Sequence, residues 1–219
     1  MPLRPDRPDI TPPDRAAERR LILPDATIAL PNADWFELLK PNVKLRPGAV
    51  APNMLRVPVA DAQKVLRGII HLVADIAAGT PPTVVWVAGR EELMVYLDRT
   101  TITCAPGMVT ISLVVTCDEI KGDQRVDLAF AVGTLQRPTG LVMSTFDRVQ
   151  GPALIADTWS ESITAFAWEA VVTMAQQLAA GTGKDAAGRP LVPALIAADK
   201  NLLLIAAMAR NNISLANER

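Results

Sequence analysis

Histidine occurs once in the chain, at His71, and cysteine twice, at Cys104 and Cys117. One histidine excludes a multi-histidine metal centre, and two cysteines are too few for a structural zinc site or a disulfide-stapled scaffold. Aromatic residues make up only 4% of a chain that is 50% hydrophobic, so Ala, Val, Leu and Ile must fill its interior. Neither sign of charge dominates. The 22 Lys and Arg against 23 Asp and Glu leave a formal charge of −1, which creates no long-range field to draw in nucleic acid or an anionic membrane. Long apolar runs are missing too: Ile69–Val73 and Leu202–Met208 fall far short of the ~20 residues that a bilayer span needs. The Pro- and Arg-rich N-terminus shows no apolar core of a signal peptide. These absences predict a cytoplasmic protein with no membrane span and no nucleic-acid partner.

Catalytic signatures are equally scarce. No Gly-x-Ser-x-Gly elbow occurs, and no dinucleotide-binding glycine pattern follows a strand. Gly181-Thr182-Gly183-Lys184 has the flavour of a phosphate loop, but it follows a helical pattern, lacks the first glycine and carries Asp185 where a magnesium-binding Ser or Thr belongs. It reads as a helix cap and turn. His71 lies between Ile70 and Leu72 in a helical stretch, with no nucleophile or orienting carboxylate identifiable for it, and reads as structural. Cys104 and Cys117 have no basic cluster or helix N-terminus nearby to activate them, so they read as small hydrophobes. Asp118, Glu119, Asp123 and Asp127 gather acidic groups, yet Ile120 and Lys121 break the alternating spacing of a calcium loop. A solvated sheet end explains them better. No catalytic residue, metal ligand set or cofactor is assigned.

What is present is organised in three stretches. Residues 1–25 carry six prolines among Arg4, Arg7, Arg15, Arg19 and Arg20; prolines this dense remove amide donors and fix φ, so the segment is an extended N-terminal arm. Residues 26–59 form a Pro-punctuated docking segment in which Asn32-Ala33-Asp34 caps a short helix containing Trp35 and ended by Pro41. Residues 60–219 form a single α+β domain.

Within that domain, Val65, Leu66, Ile69, Ile70, Val73 and Ile76 recur at helical spacing and predict a helix over Ala60–Ala78. Thr83–Val87 reads as a buried strand. Leu93–Cys104 and Met108–Cys117 form a hairpin about Ala105-Pro106-Gly107. In its second strand Val109, Ile111, Leu113, Val115 and Cys117 share one face; in its first, Leu93, Val95 and Leu97 are out of parity with Ile102 and Cys104. A one-residue bulge near Asp98–Thr100 restores parity, pairing Leu97 with Val115 and Ile102 with Ile111. The register sets Cys104 opposite Val109, some eight residues from Cys117, and so excludes an internal disulfide. Val126–Val132 is a third meander strand after a polar loop 118–124, and Leu141–Phe146 a fourth. A second helix covers Asp157–Ala180, with an apolar stripe of Trp159, Ile163, Phe166, Ala170, Val171, Met174 and Leu178. Glu161, Glu169, Gln176 and Gln177 should face water or a partner. Trp168 is offset from the stripe and marks an exposed contact surface. Leu191–Ala198 and Leu202–Met208 are read as strands over a helix pair, given Asp199-Lys200-Asn201 between them.

The predicted fold is α+β: an antiparallel meander sheet of about four to six strands packed against two main helices, preceded by the arm. In outline its element order is similar to that of small chaperone-like α+β folds, a likeness of topology without a shared residue pattern. The expected function is that of a non-enzymatic structural or adaptor subunit, a homo-oligomer or part of a larger assembly. Arg4, Arg7, Arg15, Arg19, Arg20, Trp35 and Trp168 are the expected partner-binding residues. The alternative is a carrier or enzyme for a small apolar ligand held between the sheet and the long helix.

Overall fold

Val109, Ile111, Leu113 and Val115 alternate along one strand, and in a computed structural model of the protein all four are buried in a single core. The structure describes residues 9–10, 43–45, 53–74, 76, 82–136, 143–144, 149–210 and 213–215. The first sheet is built from β1 (Asp9–Ile10), β4 (Thr83–Ala88), β5 (Glu91–Ala105), β6 (Met108–Cys117), β7 (Ile120–Ala131) and β8 (Met143–Ser144), in that spatial order. From β4 to β8 each strand is antiparallel to the next, which is the predicted meander. Gly107, at φ 71°, takes the left-handed turn position between β5 and β6.

A second sheet has the order β3 (Asn53–Pro58), β10 (Leu202–Met208), β9 (Val192–Asp199), and β2 (Val43–Leu45) pairs with β11 (Ile213–Leu215). The C-terminal segments are thus strands, turned through Lys200-Asn201 with Asn201 at φ 57°. β3 draws residues of the docking segment into this sheet as an edge strand. The opposite edge, β9, is stitched to the end of the first sheet: the amides of Gly107 and Gly133 donate to the carbonyls of Ala198 and Ile196 at 2.9 and 3.1 Å.

Two helices complete the described elements, α1 (Val59–Val73) and α2 (Ala153–Ala180). α1 buries Ala62, Leu66, Ile69 and Ile70 against β5 and α2. It ends five residues before the predicted Ala78, with Ala74 as its last cap. α2 starts at Ala153, four residues before the predicted Asp157, because Pro152 sets the preceding φ at −56° and needs no amide partner there. It packs against α1, β7, β9 and β10, while Phe166 meets Trp86 of β4 edge-on at 5.5 Å. Being covered from several sides, α2 is buried around most of its circumference, with Glu161, Glu169 and Gln177 on the exposed remainder.

Two readings of the meander need correction. The irregularity in β5 is where the parity argument puts it, but larger: Tyr96 pairs with Val114 and Thr101 with Ser112, so five steps on β5 match two on β6. The excess is three residues. Ile102 does face Ile111 and Cys104 does face Val109, but Val95 takes the place opposite Val115 that was expected for Leu97. Any odd insertion restores parity, and so parity alone could not distinguish one residue from three. The expected loop 118–124 is also mostly strand. β7 begins at Ile120, and only Asp118-Glu119 turn the chain, because the solvent side of an edge-exposed hairpin tolerates Lys121, Asp123 and Arg125. Of the expected fourth strand, Met143–Ser144 is described as β8. No helix among the described residues is long and apolar enough to cross a membrane.

Candidate functional site

The edge of β4 is where the arm meets the folded body. Asp9 pairs with Val85 and Ile10 with Trp86, in parallel, so the arm contributes a strand to the first sheet. An edge strand presents a row of unpaired amides and carbonyls, and a short extended segment can satisfy them whatever its side chains. Arg4, Arg7, Arg15, Arg19, Arg20 and Trp35 lie outside the described residues. Trp168 does not: it is buried, with 5% of its surface accessible, which corrects the expectation of an exposed contact surface. The stripe argument assumed that one face of the helix is covered, whereas α2 is enclosed by α1 and by strands of both sheets. The Trp168 indole N–H has no hydrogen-bond partner among the described residues.

Beyond the β4 edge, at the end of the same sheet, lies a feature the sequence did not announce. Glu91 of β5, Cys117 of β6 and Glu119 of the following turn converge with Leu154, Ile155 and Trp159 from the first turns of α2. They line a narrow groove of about 20 Å³. Leu154 is 45% exposed there, beside Glu91 and Glu119, which are both exposed. A second cavity, of about 90 Å³, is lined by Val85, Glu92, Met94, Thr116, Cys117 and Asp118. The groove between sheet and α2 is far below the ~300 Å³ at which typical small-ligand sites begin. Only the alternation that carries Cys117 inward after Val115 hinted at its placement. The meeting of Glu91 on β5 and Glu119 in the β6–β7 turn with the start of α2 is a product of tertiary structure.

Burial disfavours the thiolate form at both cysteines. Burial pushes Cys104 up to about 11 from an ordinary value near 9. Cys117 is raised as well, chiefly by burial, although amides at Ile120 and Glu119 oppose the shift. Both cysteines are free, and the register sets them at opposite ends of β6.

The remaining sequence candidates resolve into structural roles. His71 is half-buried in the last turn of α1. Thr182, after the α2 terminus, donates its hydroxyl to the Ala179 carbonyl at 2.7 Å, and Asp185 accepts from the amides of Ala187 and Arg189 and from the Arg189 guanidinium. Those bonds hold the Asp185 carboxyl below its usual range and close a turn. Of the acidic group near β7, Asp123 pairs with Arg99 at 2.6 Å and Asp127 with Arg125 at 2.7 Å, both at the surface. Among the described residues no three His, Cys, Asp or Glu side chains are grouped so as to hold a metal ion. Compared with known proteins, the chain matches no family model, no curated protein and no solved structure.

Proposed function

We propose that the protein is a non-enzymatic structural or adaptor subunit that acts through self-assembly or partner binding, with its N-terminal arm as the clasp. The observation that supports this reading is the pairing of Asp9–Ile10 with the β4 edge. Strand addition is a general way for an extended segment to grip a folded body, since main-chain bonds supply the hold and neighbouring side chains the selectivity. Arg4, Arg7, Arg15, Arg19, Arg20 and Trp35 flank or follow that strand and are the residues we assign to the selective contacts. The low reactivity expected of both thiols is in keeping with a role that is not chemical.

Deletion of residues 1–25 tests the reading. The truncated protein should show a lower mass in light scattering than the full chain. An unchanged mass together with intact partner binding would rule the clasp out.

A further inference from the structure

We propose that the exposed face of α1 docks on the start of α2 and the adjoining sheet end of a second copy of this chain, an inference that rests on the self-assembly reading above. Among the described residues, Leu72 on α1 and Leu154 on α2 are the most open of the large hydrophobic side chains, at 65% and 45% exposed. Their surroundings carry opposite charge. Beside Leu154 stand Glu91 and Glu119, both exposed, with exposed Asp118 preceding Glu119 in the turn. Leu72 shares the exposed face of α1 with Lys64 and Arg67. Lys64 is engaged by Asp61 at 2.8 Å, whereas Arg67 and Glu91 are in no ion pair among the described residues.

Shape argues for the same pairing. Lys64, Gly68 and Leu72 recur every fourth residue, so they form one row along α1, about 12 Å from end to end at ~1.5 Å per residue. Gly68 lies in the middle of that row, exposed, and a Cβ there would meet nothing. A glycine inside a helix costs stability relative to alanine, and here it leaves a notch between two long side chains. Leu154 of the second copy fits that notch, between Leu72 and the stem of Lys64, with Arg67 beside Glu91 and Glu119. Apolar contact holds the pair, and the charges orient it. Every copy carries both surfaces, and because they differ the contact is heterologous.

The test is a charge swap in the full chain, read as mass by light scattering. One variant carries Lys64→Glu and Arg67→Glu, the other Glu91→Arg and Glu119→Arg, all at exposed positions. Each alone should associate roughly tenfold more weakly than the parent, and an equimolar mixture should regain the parent mass, a rescue that misfolded chains would not give. Gly68→Gln, which fills the notch with a good helix former, should also lower the mass without lowering the urea midpoint. Parent mass in both swap variants, or a lowered mass that mixing does not restore, overturns the inference. If the swaps leave the mass unchanged while deletion of residues 1–25 lowers it, the clasp stands and this contact fails. If the swaps lower it reciprocally while the deletion does not, this contact stands and the clasp fails. A monomeric parent overturns this contact and self-assembly together.

Discussion

The side-chain amide of Gln63, on α1, donates to the carbonyl of Thr100 at 2.9 Å, and its oxygen accepts from the amide of Ile102 at the same distance. Gln63 thereby satisfies a carbonyl inside the β5 irregularity, that of Thr100, and an amide just beyond it, that of Ile102. It ties the first helix to the irregular stretch of β5. Gln63→Leu should cost about 2 kcal/mol, because it leaves two partly buried backbone groups unpaired. Lys64→Ala, which removes only the surface pair with Asp61, should cost less than about 0.5 kcal/mol. Urea unfolding of the two variants checks the difference; equal losses would mean that the amide bridge adds nothing.

Thr100 itself is 1% exposed, and its hydroxyl has no hydrogen-bond partner among the described residues. Thr100→Val keeps the branched shape and removes the unsatisfied group, so a gain of about 1 kcal/mol is expected. The urea midpoint should rise with an unchanged slope.

Gly151 lies against β7 so closely that a Cβ there would come within 2.5 Å of Val126 Cγ1 and 3.3 Å of the Arg125 carbonyl. Gly151→Ala should destabilise by roughly 1–3 kcal/mol through overpacking. Combined with Val126→Ala, which costs about 1–2 kcal/mol alone, the loss should be smaller than the sum of the single losses. Strict additivity would show that the Arg125 backbone, and not the valine methyl, sets the limit.

Burial of Cys104 gives a defined pH dependence. Its thiol is raised in the folded chain to about 11 from near 9, so the folded state holds the proton more tightly than the unfolded one. The associated stability is complete below pH 9 and declines as pH rises towards 11, by on the order of 2 kcal/mol across that window. Cys104→Val should flatten this part of the stability profile relative to the parent. At neutral pH a thiol reagent should label both cysteines more slowly than a free thiol, Cys104 the more slowly of the two; rapid labelling of either would reopen a chemical role.

Much of the fold is legible in local pattern. Alternation over Val109–Val115 defines a strand and its inward face, and the period of Leu66, Ile69 and Ile70 defines a helix, because burial of one face leaves its spacing in the sequence. Polar residues at the C-terminal hairpin turn tilted the reading of Leu191–Ala198 and Leu202–Met208 from a helix pair towards strands, which is what they form. Element ends were less legible: a proline can open a helix, as Pro152 does, or close one, and neighbouring residues alone do not say which. Trp168 was misread because its exposure depends on elements distant in sequence.

The division follows from where the determining forces act. Composition and short-range pattern determined an aliphatic core, a meander, two main helices and thiols too far apart along the register to join. Tertiary structure alone decided the rest: the second sheet stitched to the first through Gly107 and Gly133, the enclosure of α2, the three-residue excess bridged by Gln63, and the groove where Glu91, Glu119 and Leu154 meet. Those depend on contacts between segments far apart in the chain, whose geometry is set by packing rather than by the spacing of near neighbours.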